Sequence, residues 1–281
     1  LWDNGGLTTW PTTGTDNDAV FGGTAGTVSL TTGVTANDLT FNTTGYLVQS
    51  NTLTLNGTTP TITVGSGLSA SISSIVTGSA GLTVPGPGTL TLSGNNTYTG
   101  GTNVTGGLLL LAGGDNGSSR VGPGMLTIGS GATVRATLPN VLGWDTGAAT
   151  PSVTINGGTF DFQTFNGSFK TMTMNGGTLT RSSGFWYFNQ AGSISATGGT
   201  PVISGGSMML RPAGGTFMPI DVVSGATLTI SSVLASPKQA MGPWCSRARI
   251  RTPAPPPSAV VNWSCSKRRP PRPTTTARRY D

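Results

Sequence analysis

The 281 residues contain no His and no Glu, and only two Cys. The absence of His removes Ser-His-Asp triads, Cys-His dyads and His-ligated zinc together. Without Glu, paired-carboxylate chemistry must rest on Asp alone. Charged residues are 9% of the chain, against roughly 25% in an ordinary soluble domain. No run reaches the roughly 18 apolar residues of a membrane-spanning helix. No window sustains a helical period, and the strong helix formers are scarce. A balanced helical enzyme is therefore not expected.

The net charge of +6 is not spread along the chain. Residues 1–236 carry five basic residues (Arg120, Arg135, Lys170, Arg181 and Arg211) against eight Asp, a sum of −3. Residues 237–281 carry ten basic residues against Asp281, a sum of +9, and nine of the 19 prolines. Cys245 and Cys265 also lie there, so no disulfide staples the body. Two regions are expected: residues 1–236 and a basic, Pro/Arg-rich tail at 237–281 read as disordered. The residues from Leu1 onward are not expected to include a basic and apolar leader.

What the body does contain is Gly, Thr and short alternating runs. Leu108–Leu111 is a short wholly apolar run, and Thr52–Leu55, Thr61–Val64, Leu82–Val84, Thr89–Leu92, Ser152–Ile155, Thr171–Met174 and Thr178–Arg181 alternate apolar with Thr or Ser. That is the period of a strand with one buried face. Ile155-Asn-Gly-Gly-Thr159 recurs as Met174-Asn-Gly-Gly-Thr178, offset by 19 residues. Repeats of this length, with short strands between Gly-rich corners, predict an all-β solenoid of about twelve stacked coils. A sandwich in which Asn-Gly-Gly makes hairpin turns is the alternative.

Residues 86–111 read GPGTLTLSGNNTYTGGTNVTGGLLLL. Gly88, Thr89, Leu90, Leu92, Gly94, Asn96, Tyr98, Gly100, Thr102 and Val104 resemble the autotransporter-associated β-strand repeat, the passenger-associated transport repeat of Gram-negative secreted proteins. Asp18-Ala-Val-Phe21 and Leu39-Thr-Phe-Asn-Thr-Thr-Gly45 resemble N-terminal regions of the same proteins. The resemblance covers residues 1–112; residues 113–236 share style more than motif. It implies a right-handed parallel β-helix, exported to the cell exterior or outer-membrane surface. The role implied is passenger folding, translocation or stalk, with no catalytic residues and no cofactor. Asn96 and Tyr98 are the motif residues expected to hold a coil corner.

The tail carries a second signal. Reading each codon from the last base of one residue and the first two of the next forces Gly at Met241–Gly242, Val at Trp244–Cys245 and Leu at Asn262–Trp263. The other junctions permit GDGTLVLTGANTYTGTTTVSGGELVLQ, which aligns without a gap to residues 86–111. The forced Gly and Leu fall on Gly88 and Leu109. The tail therefore reads as a second repeat displaced from its frame near Ser236.

Other residues suggest other chemistry, each beside a plainer role. Asp3, Asp16 and Asp18 lie close enough in sequence to suggest Ca²⁺, but calcium asks for six to eight oxygens and no ligand repeat is present. Solvated loop Asp is the plainer reading, and no metal site is expected. A polysaccharide lyase or hydrolase would draw on Asp145, Asp161, Asp221, Lys170, Arg181 and Arg211, which are scattered. The run Phe185-Trp186-Tyr187-Phe188 reads either as core or as a patch where Trp186 and Tyr187 meet a surface glycan or another surface protein. Repeated Thr-x-Thr units could form an ice-binding ladder, which irregular coil lengths are expected to break. The basic tail, read as out of frame, predicts no nucleic-acid partner. An uncapped coil end predicts end-to-end self-association.

Overall fold

A strand of three or four residues buries too little to persist alone, so each must find its partner one coil away. The computed structural model describes residues 17–113, 118–143, 150–183, 185–188, 192–209, 220–231 and 233–235, with short strands at Trp2–Asp3, Leu7–Thr8 and Ile250–Arg251. Among the described residues every regular element is a strand. Apart from the antiparallel pair Trp2–Asp3 and Leu7–Thr8, all strand ladders are parallel. This excludes the hairpin sandwich and establishes a parallel β-solenoid.

Three walls enclose the core. The first is a ten-stranded sheet running from Thr27–Ser29 to Thr229–Ile230. The second is an eight-stranded sheet from Leu82–Val84 to Ile250–Arg251. A parallel bridge between Thr61 and Thr83 joins it to the three strands Ala19–Phe21, Leu39–Phe41 and Ile62–Val64. The third wall has two separate ladders. Val34–Ala36, Thr52–Leu55 and Ile75–Thr77 form one; Gly167–Phe169, Phe185–Phe188, Ser207–Met209 and Val233–Ala235 form the other.

Alternation within each strand sends every second side chain inward. On the first wall Ala70, Leu90, Leu109, Val134, Phe160 and Leu179 pair rung on rung into one buried column. The second wall does the same with Val84, Val104, Ile128, Ile155, Met174 and Ala196. The 19-residue repeat is the coil step itself. Ile155 pairs with Met174 and Thr159 with Thr178. Each Asn-Gly-Gly turns a corner, with Gly157 at φ 82° and Gly176 at φ 71°, values a β-carbon resists.

Two expectations change. The first wall has ten rungs rather than about twelve, so it extends about 43 Å at about 4.8 Å per step. Coils are longer than the shortest repeat implies. Thr159 and Thr178 are 19 apart, whereas the paired Val202 and Thr229 are 27 apart. The outward Thr column is broken by residue type: Thr133, Thr159 and Thr178 stay in register, while Leu108 and Val202 take the positions on either side. Within 237–281 the described residues are Ile250–Arg251, a strand beside Ile220–Asp221; the rest of the expected tail lies outside the described residues.

Candidate functional site

The motif of residues 86–111 sits where the third wall loses its strands. Its apolar members need little comment. Leu90, Leu92 and Val104 are fully buried in the two columns. The glycines are explained by crowding. A β-carbon on Gly88 would run into the Gly65 carbonyl oxygen, one on Gly94 into that of Ser74, and one on Gly100 into the Gly81 amide nitrogen. The backbone of the preceding coil fills the space a side chain would take.

The polar members are buried as well, and they bond between coils. Asn96 is 4% exposed. Its Oδ1 accepts the Val76 amide at 2.8 Å, its Nδ2 donates to the Arg120 carbonyl at 2.6 Å, and its own amide donates to the Ser119 carbonyl at 3.2 Å. One residue thus spans the coil before and the coil after. Thr97 and Thr99 donate back to the Val76 and Gly78 carbonyls at 2.8 and 3.0 Å.

Tyr98 is fully buried, with its hydroxyl 2.6 Å from Thr102 Oγ1. Thr102 donates to the Val121 carbonyl at 3.2 Å, so its oxygen accepts from Tyr98. Thr102 occupies an inward position between Leu82 and Leu126. A hydroxyl in an apolar column is tolerable only with both partners in place. Burial pushes the Tyr98 phenol well above its ordinary value.

Residues 82–111 match the family model of the passenger-associated-transport-repeat. Over 91 residues the chain is 53% identical to the adhesin BmaC autotransporter of Brucella suis biovar 1 (strain 1330). This chain carries an autotransporter passenger repeat. The matched stretch is 32% of the chain and 3% of the Brucella protein, so the chain spans a small part of that relative's length. No solved structure matches the chain.

The passenger repeat also recruits a residue that the sequence presents only as one of five body cations. Arg120 is 1% exposed; its Nη1 reaches the Gly94 carbonyl at 3.4 Å and bonds Asn95 Oδ1. Its backbone amide donates to the Val141 carbonyl at 2.8 Å. The one available signal was an Arg in a stretch with few charges, which fits a satisfied buried cation as well as a surface one.

The remaining candidates do not converge with the passenger repeat. Phe185–Phe188 form a strand of the third wall, paired with Gly167–Phe169 and Ser207–Met209; the side chains of Trp186 and Tyr187 lie outside the described residues. Asp18 and Asp38 act as corner braces. Asp18 Oδ1 accepts the Asp38 amide at 3.1 Å and Asp38 Oδ1 accepts the Thr61 amide at 2.7 Å. Asp16, Asp145 and Arg211 lie outside the described residues. Asp161 is bound to Arg135 at 3.0 Å on the first wall, whereas Asp221 lies on the second. Arg181 is buried, donating to the Ser183 and Thr164 carbonyls. Among the described residues no three acidic, His or Cys side chains gather as metal ligands would.

Proposed function

We propose that the chain is a stretch of an exported, surface-displayed passenger whose work is mechanical. It serves as stalk and folding scaffold for autotransporter-type export, at the outer-membrane surface or outside the cell, without catalysis and without a cofactor. The passenger repeat at residues 82–111, set in a parallel solenoid whose first wall continues through ten strands, carries this reading. A solenoid adds stability coil by coil. Folding of coils that have already emerged therefore opposes back-sliding of the rest. The test places the sequence in its full-length parent in a Gram-negative host and measures protease access to the solenoid on intact cells. Removing one coil, residues 82–101, is expected to leave the passenger in the periplasm. Equal surface signal with and without that coil would overturn the transport role.

A second reading is an adhesin that binds glycans, since the Brucella relative is an adhesin. Its contact would be Trp186 and Tyr187, with surface glycans or other surface proteins as partners. Binding of this chain to a glycan array, lost in Trp186→Ala, supports it. An array with no bound glycan sinks it.

A further inference from the structure

The third wall is the weak seam of the solenoid. The first wall runs unbroken through ten strands, and the second is joined end to end by the Thr61–Thr83 bridge. On the third, among the described residues, the early ladder stops at Ile75–Thr77 and the late one starts at Gly167–Phe169. Stability in a solenoid is a sum of coil terms and nearest-neighbour interface terms. A seam with a weak interface term would let the coils on either side open separately.

At that seam single backbone bonds, such as Thr97 and Thr99 to the Val76 and Gly78 carbonyls, stand in for a strand ladder, and buried side chains add to them. Val76, in the last strand of the early ladder, finds its acceptor in Asn96 Oδ1 at 2.8 Å. The same amide group passes the connection on to the Arg120 carbonyl at 2.6 Å. The Tyr98–Thr102–Val121 chain runs beside it, also between one coil and the next. Arg120 then hands over to Val141 through its backbone, and Asn140 to the Asn166 carbonyl at 3.0 Å, one residue before the late ladder. All of Asn96, Tyr98, Thr102 and Arg120 are buried, so the path is shielded from competing water.

We infer that Asn96, with Tyr98 and Thr102, splices the two ladders of the third wall, so that the coils before and after the passenger repeat unfold as one cooperative unit. This goes beyond the export role and does not depend on it. Asn is suited to the position because one planar group offers an acceptor to one coil and a donor to the other. Asp keeps the acceptor and loses the donor. Ala loses both.

Hydrogen exchange of the full chain across a urea series tests the splice. In the wild type, the slowest amides of residues 34–77 and 153–180 are expected to share one opening transition. Asn96→Ala is expected to divide it, residues 34–77 opening at lower urea, with exchange at Val76 about tenfold faster. Asn96→Asp is expected to keep Val76 protected while still dividing the transition. If Asn96→Ala does not fold, Tyr98→Phe removes only the hydroxyl link and is expected to separate the two segments by a smaller interval. Gln49→Ala, which removes an exposed inter-coil bond to Ser29 on the first wall, is expected to leave one transition. Independent opening of the two segments in the wild type overturns the inference. So does a single transition, merely shifted, in every Asn96 and Tyr98 variant that folds.

Discussion

In the passenger-repeat coil the third wall is closed by Asn96 and Tyr98, Asn96 bonded to the coils before and after and Tyr98 to Thr102 of the second wall. In the coils at 153–180 the interior is filled by rings instead. Phe160 and Phe162 lie 4.3 Å apart, Phe169 stands edge-on to Phe162 at 5.3 Å, and all three are fully buried. Both solutions hold coils at the same spacing. They differ in what they demand of sequence. A hydrogen bond fixes residue type and position together, because a displaced donor leaves a buried group unsatisfied. Apolar packing accepts any shape of about the right volume. The polar coil is therefore the one that matches a family model, while the aromatic coils share only a 19-residue rhythm.

The largest change to this comparison would come from the coding DNA. Sequencing from the codon of Ser236 past Asp281 is expected to show a displaced frame whose correction adds a second passenger repeat. In the permitted string the positions aligned with Asn96, Tyr98 and Thr102 are again Asn, Tyr and Thr, which would repeat the splice. Confirmation of the stated frame, with matching C-terminal peptides by mass spectrometry, would remove the second repeat and leave the basic tail as real protein.

Within the body, the aromatic coils are expected to be the more sensitive to truncation. Phe160→Ala removes a ring from both the first-wall column and the phenylalanine cluster, and should cost about 3–5 kcal/mol in urea melts. A loss below about 1 kcal/mol would mean that the cluster closes over the gap. Gly94→Ala is expected to cost about 1–3 kcal/mol, since its β-carbon meets the Ser74 carbonyl and one coil must shift against the other. An unchanged melt would show that the coils have slack there, and would weaken the crowding account of the motif glycines.

The legible parts of the fold were those in which four residues alternate. Thr52–Leu55 and Thr89–Leu92 are strands with the bounds that their alternation predicts. Val34–Ala36, Ser69–Ile72 and Gly167–Phe169 escaped notice because three or four residues with Ala, Ser or Gly among them carry almost no period. Their strand state is imposed by the coils above and below. The break in the third wall was hidden for the same reason, since ladder continuity is a property of stacking and not of any one segment. The motif glycines were visible, but their cause was not. Gly94 and Gly100 are required by the approach of the previous coil, which no local turn rule reports. Arg120 was legible as charge, yet its place is beneath Gly94 and Asn95.

The smallest effect separates the polar coil from the aromatic ones by pH. Tyr98→Phe keeps the ring and removes the hydroxyl that reaches Thr102, and is expected to cost about 1 kcal/mol near neutral pH. Burial holds the native phenol protonated far above 10.0, the value at which the unfolded chain ionises. Below that pH both states keep the proton and the stabilisation is complete. Above it the unfolded chain releases a proton that the folded chain retains, so unfolding is favoured and stability falls as pH rises toward the native value. Tyr98→Phe has no such proton. The stability gap between wild type and Tyr98→Phe should therefore narrow between about pH 8 and about pH 11. A gap that stays constant would mean that the phenol reaches solvent, and that the passenger repeat does not seal its polar chain from water.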